Sequence, residues 1–99
     1  MLFILRFTDK PDSLHIRERH LAEHVAWLDA HAEQVLVAGT LRTDPQAAPV
    51  AAQWIVKADS PEAALALSET DPFWVQGLRA TRELFHYRVH TALAALQDA

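Results

Sequence analysis

An imidazole and a carboxylate, His20 in Arg17-Glu18-Arg19-His20-Leu21 and Asp71 in Asp71-Pro72-Phe73, are the side chains of this sequence best suited to moving a proton. Imidazole has the unperturbed pKa closest to neutrality, and a carboxylate beside it fixes its tautomer and stabilises its charged form. The expectation is a pair in which His20 transfers the proton and Asp71 orients the ring. Arg17 stands one turn before His20 on the same helical face, where it could receive a carboxylate, phenolate or enolate oxygen; a solvated surface arginine is the alternative reading. Asp71 before Pro72 also suits a turn that ends a helix. Trp27, Trp54 and Trp74 read first as core or interface residues. Trp74, next to the Asp71 turn, is the best placed of them to wall a pocket for a planar substrate.

Other chemistries find less support. His20-Leu21-Ala22-Glu23-His24 matches the H-x-x-E-H spacing of inverted zinc peptidases, and His31 falls near the same helical face. Such enzymes need a third ligand and a much larger cleft, and histidines on one helix face are common coincidences in a chain with six, so no metal is expected. Two glycines cannot build a phosphate-cradling loop, and without a G-x-S-x-G arrangement Ser13, Ser60 and Ser68 read as caps and surface residues. The absence of cysteine removes thiolate catalysis, disulfides and cysteine zinc sites.

The elements that must position these residues alternate simply. Residues 1–8 form a strand with Phe3, Leu5 and Phe7 on one face and Leu2 and Ile4 on the other, a pattern that predicts burial on both sides. After Lys10-Pro11-Asp12, Ser13 is placed to cap a long helix reaching about residue 33, with Leu14, Leu21, Val25, Leu28 and Ala32 at helical spacing. Val35 to Ala38 reads as a strand ending at Gly39, residues 44–49 as a loop, and residues 50–57 as another strand. Ser60-Pro61-Glu62 starts a second helix with a capping serine, a proline at the first helical position and an acid at the positive dipole end. A short helical turn over residues 74–77, a strand over 81–89 and a helical tail over 91–97 complete the chain.

This βαββαβ order, with right-handed crossovers, closes into a four-stranded antiparallel sheet with both helices on one face, the ferredoxin-like α+β arrangement. Residues 1–89 are expected to form one domain, with 90–99 as its tail. Strands apolar on both sides, in only 99 residues with 51% hydrophobic content, predict a homodimer packed sheet to sheet as a dimeric α+β barrel. Two lysines and seven dispersed arginines within a formal charge of −4 give no basic stripe, so nucleic acid is not an expected partner. The opening apolar run is broken at once by Arg6, Asp9 and Lys10, so no membrane association is expected and the protein reads as cytoplasmic.

The opening strand, Arg17-x-x-His20-Leu21, Ala38-Gly39-Thr40-Leu41, Ser60-Pro61-Glu62-Ala63-Ala64 and Asp71-Pro72-Phe73 together resemble the YCII-related family, in order and at its spacing. The resemblance spans residues 1–89 and implies the dimeric α+β barrel. It also implies a histidine–aspartate site at His20 and Asp71, a small-molecule ligand, and lyase or isomerase chemistry on a small cyclic or enolisable substrate without metal or organic cofactor. Two alternatives stay open: a non-catalytic ligand-binding or accessory dimer, and a cofactor-free oxygenase on the same barrel. The chain departs from the family pattern at Glu33, Thr40 and Ala51 or Ala52, positions that bear on the pocket more than on the fold.

Overall fold

A computed structural model describes residues 1–90. The order is β1 (Leu2–Asp9), α1 (Leu14–Ala30), β2 (Val35–Leu41), β3 (Ala51–Lys57), α2 (Pro61–Ser68), α3 (Pro72–Val75) and β4 (Arg79–Tyr87). The strands form one antiparallel sheet in the order β2-β3-β1-β4, the ferredoxin-like arrangement expected from the alternation of elements. The tail helix expected over 91–97 lies outside the described residues. Among the described residues no helix is long and apolar enough to cross a membrane.

The alternation in β1 builds the core. Phe3, Leu5 and Phe7 are buried and pair laterally with Val56, Trp54 and Ala52 of β3, so one face of the two central strands is sealed. Phe3, Leu5, Phe7 and Val56 each contribute about 1.5–3 kcal/mol through their removal from water. Leu2 and Ile4, on the other face, are only half-buried in a single chain. The expectation that β1 is covered on both sides therefore fails for the isolated protomer. Phe85 and Val37 share the open face and are each 45% exposed.

The helices follow their local chemistry with two exceptions. Ser60 caps α2 as expected, accepting the Ala63 N–H at 3.1 Å, with Pro61 and Glu62 in the first turn. Ser13 occupies the N-cap position of α1, but its hydroxyl donates back to the Lys10 carbonyl instead of capping. The larger exception is the face that α1 buries. Leu14, Leu21 and Val25 remain 45–48% exposed, while Arg17, His24 and Trp27 turn inward. Polar groups tolerate that burial only when paired, and all three are: Arg17 with Asp9, His24 with Asp71, and the Trp27 indole N–H with Thr70 Oγ1 at 3.0 Å.

Candidate active site

Asp71 begins a helix rather than ending one; α2 has already closed at Ser68, with Glu69 as its C-cap. Asp71 is the N-cap of α3, its Oδ1 accepting the Phe73 backbone N–H at 3.1 Å, with Pro72 at the first helical position. That is why the short helix starts at Pro72, earlier than expected from the residue pattern. Gly77, at φ +79°, then closes α3 in the left-handed conformation that glycine adopts without a Cβ penalty. With α3 docked on α1, the same Asp71 oxygen lies 2.7 Å from His24 Nδ1.

This contact corrects the expected pairing of Asp71 with His20. Both histidines lie on the α1 stripe that carries Arg17, one turn apart, but the docking of α3 brings Asp71 level with His24. His20 instead has Nδ1 3.4 Å from Glu23 Oε2, beyond a well-formed hydrogen bond, and does not line the cavity described below. The zinc-type spacing does not assemble either. His24 faces Asp71, while the His31 Nδ1 hydrogen bond runs to the Trp27 carbonyl at 2.7 Å, and among the described residues no three His, Asp or Glu groups converge for a metal.

The His24–Asp71 pair is buried, with side chains 10% and 2% exposed. A carboxylate accepting at Nδ1 holds the proton there and leaves Nε2 as the lone-pair nitrogen. The imidazole stacks on Phe73 at a centroid distance of 4.0 Å and an interplanar angle of 12°, with Trp54 at 6.4 Å. Packing and hydrogen bonding thus fix the same ring orientation.

His24 lines a cavity of about 350 Å³ between α1 and the outer part of the sheet, together with Arg17, Leu21, Trp54, Thr40 and Arg79 among others. Small side chains on β2, Ala38 to Thr40, leave the space open, and the exposed aliphatics of α1 furnish an apolar mouth. A larger hollow of about 680 Å³ lies at the other end of the strands, around Met1, Lys57 and Asp59, and has no buried imidazole–carboxylate pair among the described residues.

Arg17 is buried, against the reading of a solvated surface residue. It donates to Asp9 Oδ2 from Nη2 at 2.7 Å and from Nε at 3.3 Å. Arg79 donates from Nη1 to the other oxygen, Oδ1, at 2.8 Å. The register slips between Thr8 and Asp9, so that Arg79 rather than Ala80 stands opposite Asp9; such bulges re-aim side chains near functional sites. Burial pulls the Arg79 guanidinium below its ordinary pKa and Arg17 adds to the pull, while Asp9 opposes both and Asp71 helps it. Arg79 nonetheless stays charged at neutral pH. Trp74 does not reach this cavity; it packs on the core edge beneath Arg82, whose guanidinium carbon lies 4.2 Å from its ring centroid. Trp54 is the tryptophan of the cavity wall.

A model of the YCII-related domain matches residues 1–88. Among solved structures, 5-chloro-2-hydroxyhydroquinone dehydrochlorinase from Burkholderia phenoliruptrix, in complex with 2,5-dihydroxybenzoquinone, is similar at 26% identity and a TM-score of 0.80, covering 89% of this chain and 94% of that one. A protein from Agrobacterium tumefaciens shares the fold at 12% identity and a TM-score of 0.55, covering 94% of this chain and 98% of that one. No curated protein matches significantly.

Proposed function

The chain belongs to the YCII-related family, and from that premise we propose a proton-transfer enzyme of lyase or isomerase type, acting on a small cyclic, enolisable substrate held in the cavity beside His24. The observation that carries the proposal is the buried 2.7 Å contact between His24 Nδ1 and Asp71, on a ring that walls the cavity. Nε2 accepts a proton from a hydroxyl, or from a carbon beside a carbonyl. The released electron pair is reprotonated at another carbon by the imidazolium; where that carbon bears a leaving group, Nε2 then takes the proton of a second hydroxyl, whose electron pair expels the group, and the proton passes from the imidazolium to water. Asp71 is a positioning residue: it keeps the productive tautomer and stabilises the imidazolium, as a carboxylate does for a triad histidine. No metal or organic cofactor enters this scheme.

Similarity to the dehydrochlorinase supports a hydroxylated ring as the substrate. The test is chloride release from 5-chloro-2-hydroxyhydroquinone under anaerobic conditions. Acceleration over buffer without dioxygen is expected. Turnover only with dioxygen uptake would favour the cofactor-free oxygenase, and binding without turnover the accessory dimer.

The same proposal places a second copy on the open sheet face, where Leu2, Ile4, Ile55, Val37, Leu41 and Phe85 form an apolar surface opposite the helices. Sedimentation is expected to give a homodimer for the wild type and a monomer for Phe85→Asp. A wild-type monomer at micromolar concentration would contradict it.

A further inference from the structure

We propose, on the basis of the proton-transfer reading above, that Arg79 is the ligand's anion receptor, and that the cavity therefore selects planar anions presenting two neighbouring oxygens, such as an ionised hydroxyquinone or a carboxylate. The Arg79 side chain is 2% exposed, yet among the described residues only Nη1 has an acceptor. Nε and Nη2, which together make the side-on edge of the guanidinium, meet none among the described residues. Leaving buried charged donors without acceptors is costly, and in a native site it calls for a specific explanation. The unused pair of donors has the fork geometry that binds two oxygens at once.

The surroundings keep Arg79 ready for that role. Its guanidinium carbon lies 4.8 Å from the Phe7 centroid and 5.3 Å from that of Phe73, so two rings cover it and hold the fork in place. Phe73 is also the ring on which His24 stacks, and Arg17 lies 5.2 Å from the same centroid. Base and receptor thus share one aromatic support. The charges point the same way. Among the described residues Asp9 is the only carboxylate bonded to the two guanidiniums, and Asp71 is engaged by His24. Once His24 has taken a proton, the cluster of Arg17, Arg79, Asp9, Asp71 and His24 carries one uncompensated positive charge, which an anionic ligand balances. An oxygen on Arg79 would also hold the electron density that proton removal by His24 releases.

The test is calorimetric binding of 2,5-dihydroxybenzoquinone, a vinylogous acid ionised at neutral pH, against its neutral dimethoxy analogue, with the His24 ring resonances monitored in parallel. The wild type is expected to prefer the ionised probe by about 10–100-fold, the worth of charge-assisted hydrogen bonds to a buried partner. Arg79→Met should abolish that preference, the affinity for the ionised probe falling to that for the neutral one. Should that variant not fold, Arg79→Lys retains the charge beside Asp9 but presents no fork, and a loss of about tenfold in the preference is expected, comparable to one such hydrogen bond. Equal affinity of the wild type for both probes, or a preference that survives in the variant, would overturn the anion receptor. If both probes still shift the His24 resonances, the proton-transfer reading is untouched by that result. If neither probe shifts them, both readings fall.

Discussion

His24→Asn is expected to slow turnover of a cavity-bound substrate by about 10²–10⁴-fold, the usual contribution of a positioned general base. Asparagine can still donate an N–H towards Asp71 from roughly the position of Nδ1, so the buried carboxylate keeps a partner while the basic nitrogen disappears. The loss should appear in kcat, with KM little changed, because Nε2 acts on the proton in flight more than on the bound ground state. His20→Asn is the matched control. His20 is half-buried, off the cavity wall, with its nearest carboxylate on Glu23 rather than Asp71, and its replacement should leave kcat close to wild type. The reverse ranking, a slow His20 variant and a fast His24 variant, would return the catalytic role to the residue first expected from the helix motif.

Asp9→Ala is expected to cost about 3–5 kcal/mol of stability, because removing one member of a buried ion pair leaves uncompensated charge behind. Here the effect is doubled in kind. Both carboxylate oxygens are engaged, Oδ2 by Arg17 and Oδ1 by Arg79, and all three side chains are at most 8% exposed. The variant would leave two cations buried next to each other under Phe73. Urea denaturation measures the loss directly as a fall in the midpoint at constant slope. Asp9→Asn separates the contributions, since it restores hydrogen-bond acceptance at one atom without the charge. A cost below about 1 kcal/mol for Asp9→Ala, the range of an exposed ion pair, would mean that water reaches the cluster freely.

Much of the scaffold was legible because its signals are local. The alternation of Phe3, Leu5 and Phe7 and the Ser60-Pro61-Glu62 start of α2 each depend on neighbours a few residues away, and the structure realises both. Gly39 misled as an end to β2: the strand runs through it to Leu41, paired with Gln53 of β3. A glycine that remains extended in a ladder carries no turn, and only the pairing partner reveals this. The site was half legible. Asp71 was singled out, but the choice between His20 and His24 depends on how α3 docks against α1, a relation between residues far apart in the chain. His24 carried one available signal, its seven-residue spacing from Arg17, which puts the two on one helical face. The inward turn of Arg17 and His24 was hidden because their partners come from β1 and α3, so aliphatic periodicity selected Leu14, Leu21 and Val25 as the buried face instead. Arg79 was missed altogether, since its place opposite Asp9 results from a one-residue slip in the β1–β4 register that nothing in the local residues announces.

The most direct test of the His24–Asp71 site is the ring tautomer of each histidine, read from nitrogen-15 shifts in the wild type and in Asp71→Asn. The wild type is expected to show His24 protonated at Nδ1 with Nε2 bare, and Asp71→Asn should mix the His24 tautomers while His20 keeps its wild-type signature. A His20 signal that responds to Asp71→Asn while His24 stays unchanged would contradict the account and restore the His20 pairing.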